Sequence, residues 1–265
     1  MNSRKILSRI SLWISMLSAA LALGAPFAGA AEQPSADEIL KQVEKKLHSK
    51  DEVATVKMVI LEANGSNKER KLQVSRRTSD ADQAVMVKLQ SPADLRGTGL
   101  LSVIKGKDSD QWLYLPSSKQ TRRILSGKRQ ANFLDSELSY EDLGGNNGSG
   151  FTHSIVKTES DASGPVYVIQ SQTASTEGSY SKILTWVSAK TSLASKVEYY
   201  DHEGKLLKTM EMKNYKQFTN GIWRAQLVTV TNLQNHRGTR LELSDLKLDQ
   251  GLSAQEFTPT ALQSE

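Results

Sequence analysis

Asp110-Gln-Trp-Leu-Tyr-Leu-Pro116, Lys119-Gln-Thr-Arg-Arg-Ile-Leu125 and Phe133-Leu-Asp-Ser-Glu-Leu-Ser-Tyr-Glu-Asp-Leu143 follow one another along the chain, and their reading decides the fold. In the first, Trp112 and Tyr114 point one way and Leu113 and Leu115 the other, so the period of two predicts a strand with apolar residues on both faces. A one-sided sheet has no need of that pattern. Pro116 and Ser117-Ser118 close the strand in a short turn, and the polar, basic run from Lys119 returns as its hairpin partner. Residues 126–150 are of another kind. They mix Gly, Lys and Arg with isolated large apolar groups, and short helical turns would put Phe133, Leu134, Leu138, Tyr140 and Leu143 mostly on one side. Such a loop reads as a lid folded over a hydrophobic surface, and the tract Gly144-Gly-Asn-Asn-Gly-Ser-Gly150 is expected to let it swing.

Working outward, strands are predicted over 53–62, 69–77, 83–90, 98–105, 110–116, 119–125, 151–159, 165–173, 180–188, 195–201, 205–217, 222–233 and 238–248. Turn signals such as Asn64-Gly65, Glu203-Gly204 and Asn220-Gly221 separate them. Short loops between consecutive strands imply an antiparallel meander, and so many strands in one domain must curl or close. Before the first strand, Ser35 with Glu38 forms a capping-box pattern. Ile39, Leu40, Val43 and Leu47 then mark an amphipathic helix over 36–48 that covers one end of the sheet. After the last strand, Phe257 and Leu262 are available to pack back on the sheet.

Arg4, Lys5 and Arg9 precede an apolar stretch from Ile10 to Leu23, and Ala28-Gly-Ala30 has the small-x-small form of a signal-peptidase site. Residues 1–30 therefore read as a signal peptide, with 31–265 as one exported domain. The chain has no Cys, which excludes a disulfide framework, a thiol metal site and an N-terminal lipidated Cys. The formal charge of +5 falls to +2 once the three basic residues of the leader are removed.

Nothing in the pattern supports catalysis. His48, His153, His202 and His236 lie far apart, none with a second His at metal spacing, and Ser149 lacks a nucleophile elbow. Asp135, Glu137, Glu141 and Asp142 read as a solvated acidic face of the lid rather than as an acid/base pair. The reading is a non-enzyme without cofactor or metal. The basic cluster Lys119, Arg122, Arg123, Lys128 and Arg129 lacks interleaved aromatics, so nucleic acid is not the expected partner. Two roles stay open for it: pairing with the acidic lid face, or meeting anionic headgroups or an acidic partner.

Asp94-Leu-Arg-Gly-Thr-Gly-Leu-Leu101, Gln111-Trp-Leu-Tyr-Leu-Pro116 with Arg122-Arg-Ile124, the block from Phe133 to Leu143, Val197-Glu-Tyr-Tyr-Asp201 with Gly204-Lys-Leu-Leu-Lys208, and Glu256-Phe257 together resemble the outer-membrane lipoprotein-sorting protein family related to LolA. In that family the lid block usually reads Phe-x-Gly-Ser-Asp-Phe-Ser-Tyr-Glu-Asp; here Asp135 stands for the Gly, Glu137 for the Asp and Leu138 for the Phe. The resemblance implies a mainly β, incomplete antiparallel β-barrel of LolA/LolB type, with helices plugging its open side over an apolar cavity. It implies a monomeric periplasmic carrier or acceptor of lipid or lipoprotein acyl chains, bound for the outer membrane and working with an inner-membrane exporter of the resistance-nodulation-division type. The alternative is a periplasmic ligand-sensing regulator on the same fold. The expected acyl-binding residues are Met58, Ile60, Met86, Val87, Trp112, Tyr114 and Met210, under a lid carrying Phe133, Leu134, Leu138 and Tyr140. Arg76, Arg77, Arg122 and Arg123 are the candidates for closing the lid or meeting headgroups.

The leader yields a direct expectation. Intact-mass measurement of the exported protein should give a chain beginning near Ala31 without added lipid; a membrane-bound species retaining residues 1–30 would contradict it.

Overall fold

Strands β1 (Asp51–Leu61), β2 (Asn67–Thr78), β3 (Asp82–Ser91), β4 (Gly99–Lys105), β5 (Asp108–Leu115) and β6 (Gln120–Arg123) form the first half of one antiparallel sheet. Strands β7 (Phe151–Asp161), β8 (Gly164–Thr173), β9 (Lys182–Ser188), β10 (Ala194–Tyr200), β11 (Leu206–Gln217), β12 (Trp223–Asn232) and β13 (Arg237–Leu248) form the second. The computed structural model describes residues 33–80, 82–106, 108–144 and 150–264, so the expected signal peptide and most of the Gly144–Gly150 tract lie outside the described residues. Each expected strand is present within a few residues of its predicted limits, and the helix α1 (Ala36–Leu47) carries the predicted Ser35–Glu38 capping box.

The strand order is β6-β5-β4-β3-β2-β1-β13-β12-β11-β10-β9-β8-β7. The chain starts at the middle of its own sheet and meanders to one edge. It then reappears at the far edge and meanders back until β13 pairs with β1, from Glu52↔Leu248 to Leu61↔Gly238. The outermost strands β6 and β7 are not paired to each other, so the barrel is incomplete, as the resemblance implied.

Side-chain alternation gives this sheet two apolar faces. On the inner face, Met58, Ile60, Leu72, Val87, Leu89, Leu100 and Val230 form a buried cluster with Phe133 and Leu138. Farther along the sheet, Ala36 and Ile39 of α1 pack with Ile169, Val187 and Ala194. On the outer face, Ala84, Met86 and Leu101 are buried under Phe257 and Leu262, with Trp112 and Tyr114 packed beside them. The buried carboxylate of Asp51 directs the chain there: it accepts the backbone N–H groups of Gln250 (2.6 Å), Gly251 (3.0 Å) and Leu252 (3.3 Å) just after β13. Gly99 is needed beneath this tail, because a Cβ there would lie 2.6 Å from Leu262 Cδ1.

Leu262 is 1% exposed, so its truncation leaves a void rather than a solvated dent. Leu262→Ala is expected to lower unfolding free energy by about 2–4 kcal/mol, read from urea denaturation; a loss below about 1 kcal/mol would show the tail to be only loosely seated.

Candidate functional site

β6 and β7 lie at opposite edges of the sheet, and the described part of the chain between them, residues 124–144, lies across the inner face. It does so as a compact strap. Backbone bonds from Phe133 N to Leu138 O (2.7 Å), Tyr140 N to Ala131 O (3.1 Å) and Glu141 N to Arg129 O (2.9 Å) hold it as a small hairpin that ends in helix α2 (Tyr140–Gly144). Phe133 and Leu138 are fully buried against the inner face, Phe133 edge-on to Tyr140 with ring centroids 5.9 Å apart. Leu134 (φ 51°) and Asp135 (φ 63°) both adopt left-handed backbone. That accounts for the Gly usual at the second of these positions in the family's lid block, and Asp is among the residues that tolerate the conformation.

The acidic residues of the strap do not form one solvated face: Asp135 is exposed, but Glu137 and Asp142 are not. Glu137 and Asp142 are almost wholly buried, and each is matched. Ser139 and Asp142 form a capping box at the start of α2: Ser139 N donates to Asp142 Oδ2 (2.7 Å) and Asp142 N to Ser139 Oγ (3.1 Å). The same carboxylate meets Lys208 Nζ at 2.5 Å and accepts from the Tyr180 hydroxyl at 2.7 Å. Burial first, and then the charge of Asp142, push the phenols of Tyr180 and Tyr199 well above the usual range, so both stay protonated; only Tyr180 bonds to this carboxylate. Lys208 lies over both rings and also donates to Glu137 O (3.1 Å). Glu137 in turn accepts from Asn232 Nδ2 (2.7 Å) and Asn235 Nδ2 (3.2 Å), faces Arg237 Nη1 at 3.4 Å, and donates its own N–H to Thr239 Oγ1 (2.8 Å). On the other half of the sheet, Gln111 Nε2 donates to Tyr140 O (2.6 Å) and Ser102 Oγ to Gly144 O (3.0 Å). A side chain at Gly144 would collide with the Gln111 amide.

Among the described residues, the arginines expected to close the lid make no hydrogen bond or ion pair with it. Arg77 pairs with Asp82, Arg123 with Asp110 on the neighbouring strand, and Arg122 bonds to Gln120 (2.8 Å); Arg76 stands 3.7 Å from Glu52. Lys208, Arg237 and Thr239 do the fastening instead. The pairing of the 119–129 basic cluster with the lid acids is likewise replaced: the carboxylates find partners on β11 and β13, strands distant in sequence but beneath the strap. The Ser-x-x-Asp spacing of Ser139 and Asp142 is the local signal that could have identified the latch.

Between the strap, the end of α1 and the inner face lies a cavity of about 340 Å³. Its walls are mostly apolar and include Val56, Met58, Val74, Val87, Met212 and Leu241, with Leu47 contributed by α1 and Phe133, Leu138 and Leu143 by the strap. Of the expected acyl-binding residues, Met58 and Val87 line it; Ile60 and Met210 belong to the cluster beside it, as do Leu134 and Tyr140. Met86, Trp112 and Tyr114 are turned to the outer face under the C-terminal tail, so the structure does not bring them together with Met58. A strand that is apolar on both sides does not reveal which side is inward. Among the described residues no group of three or more His, Asp and Glu is placed to hold a metal ion, and no helix is long and apolar enough to cross a membrane.

A family model described as that of an uncharacterized protein matches residues 81–264. No curated protein matches the chain. Among solved structures, an outer membrane lipoprotein-sorting protein domain from Vibrio parahaemolyticus is 29% identical, with a TM-score of 0.81 over 86% of this chain and 97% of that one. A DUF1329 family protein from Desulfovibrio piger is 25% identical, with a TM-score of 0.79 over 85% and 97%. A LolA superfamily protein from Nitrosomonas europaea, 24% identical with a TM-score of 0.69 over 85% and 98%, shares the fold.

The latch makes a quantitative prediction. Lys208→Ala strands the buried Asp142 carboxylate and should cost about 3–5 kcal/mol in urea unfolding. Arg123→Ala, which removes a largely exposed pair, should cost less than about 1 kcal/mol. Equal effects would mean that the strap is not held through Lys208.

Proposed function

The chain belongs to the LolA-like family of outer-membrane lipoprotein-sorting proteins, and we propose that it is a periplasmic carrier whose cavity takes up acyl chains of lipids or lipoproteins. The observation that carries this reading is the cavity itself, an apolar space of about 340 Å³ between the inner face, the strap and α1. Its volume falls in the range of ligand sites, and its aliphatic walls suit a hydrocarbon chain better than a polar ligand. Each methylene moved there from water would add roughly 0.8 kcal/mol of affinity, enough for a long chain to be held without covalent chemistry. Met58 and Met212 on the walls are unbranched and adapt to chains of different shape.

The likeness to the Vibrio parahaemolyticus lipoprotein-sorting domain favours a lipidated cargo over a free small molecule. In this reading the protein receives its cargo from an inner-membrane exporter of the resistance-nodulation-division type and delivers it towards the outer membrane. Met58, Val87 and the strap's Phe133 and Leu138 are the residues that meet the acyl chain.

Val87→Trp tests the site. The added ring would occupy the cavity, so binding of a long-chain fatty acid should weaken at least roughly tenfold while the β-type far-UV spectrum persists. Unchanged affinity with an unchanged spectrum would place the ligand elsewhere.

A further inference from the structure

The cavity has one charged end. Glu52 and Arg76 are cross-strand partners on β1 and β2, Arg224 is the second residue of β12, and all three line the cavity. Glu52 lies eight residues from Ile60 along β1, roughly 26 Å at strand spacing. Ile60 pairs with Thr239, the residue that receives the N–H of Glu137, so the charged end and the latched end are far apart on the same wall.

Arg224 is committed within the protein. Its Nε reaches Glu52 Oε2 at 2.9 Å, its Nη2 bonds to the same oxygen and to Ser49 Oγ (3.1 Å), and its Nη1 donates to Trp223 O (2.8 Å). Arg76 is different. Among the described residues its one ionic contact is Nε to Glu52 Oε1 at 3.7 Å, beyond hydrogen-bonding distance, and its side chain is 48% exposed. The remaining ionisable groups on the wall are Asp142, which is paired with Lys208, and Tyr215, which donates to Ala194 O (2.7 Å). Glu52 balances Arg224 and Lys208 balances Asp142. One positive charge is left, that of Arg76, with a donor fork shaped for carboxylate or phosphate oxygens.

The geometry points to Arg76 as the anchor of an anionic headgroup, a carboxylate or a phosphate, whose acyl chain runs along the apolar wall towards the strap. This rests on reading the cavity as an acyl site. A ligand oxyanion at Arg76 need displace only one distant contact, while Glu52 keeps its bonds to Arg224 (2.9 Å) and Ser49 (3.3 Å). A neutral lipid would fill the same apolar walls and leave the Arg76 fork unmatched. The site therefore sorts ligands by headgroup charge as well as by chain.

The test compares hexadecanoate with hexadecan-1-ol, which share a chain and differ in charge, by titration calorimetry on the purified protein and on Arg76→Gln. At about pH 8 the carboxylate is ionised. The protein should bind hexadecanoate roughly tenfold more tightly than the alcohol. Arg76→Gln should abolish that preference. Equal binding of both ligands by the unsubstituted protein would overturn the headgroup site and leave the carrier reading intact, and so would a preference that survives Arg76→Gln. Binding of neither ligand would overturn the carrier reading, and the headgroup site with it. Inorganic phosphate alone serves as the free-anion arm: if it binds in an Arg76-dependent way as tightly as hexadecanoate does, the site belongs to a free anion and the headgroup assignment fails.

Discussion

A meander that begins at the centre of its own sheet leaves its two halves joined by a connection that must cross the sheet. Here β1 and β13 occupy the middle, β6 and β7 the two edges, and residues 124–144 part of the path between them. The inner face is apolar from Ile155 on β7 to Leu113 on β5 and must be covered. The segments that cover it are the strap and α1, which precedes β1 and lies over the other half. The cavity is the space that these two covers do not fill, so its position follows from the strand order.

The two covers are held by different physics. The strap is tied by buried charge: Asp142 with Lys208 and Tyr180, Glu137 with two Asn and Arg237. Displacing it would strand several charged groups in a low-dielectric interior, each at a cost of the order of kcal/mol. Helix α1 rests mainly on Ala36, Ile39, Leu40 and Val43, with a side-chain bond from Ser192 Oγ to Gln42 at 3.0 Å. Apolar contacts can be exchanged for contacts with a ligand's hydrocarbon, whereas a buried ion pair has no such substitute. The expected swing of the lid rests on the 144–150 tract, most of which lies outside the described residues.

The strands, the N-terminal helix and the apolar strap could be read from the sequence because each has a local signature: alternation, a capping box, and large apolar groups stranded in a polar loop. Two features could not be read that way. The face to which Met86, Trp112 and Tyr114 turn depends on where residues 252–262 come to rest, and alternation alone gives both faces equal claim. The burial of Lys208 and Glu137 depends on a chain crossing between residues some seventy positions apart. Both side chains read as solvated until the topology is known. The arginine end of the cavity joins β1, β2 and β12 and is hidden for the same reason, although the family resemblance places Arg76 among the candidate arginines.

The pairing of β1 with β13 also bears on how the molecule comes into being. The first strand to emerge acquires one of its two neighbours only when the last has been made, so the central ladder closes a loop nearly as long as the folded region itself. Contacts of such sequence separation slow the search for the native state. Until β13 arrives, β1 presents an open backbone edge with Met58 and Ile60 beside it, a surface that invites pairing with the wrong strand. A chain shortened by even its final strand would lose the centre of its sheet rather than a margin.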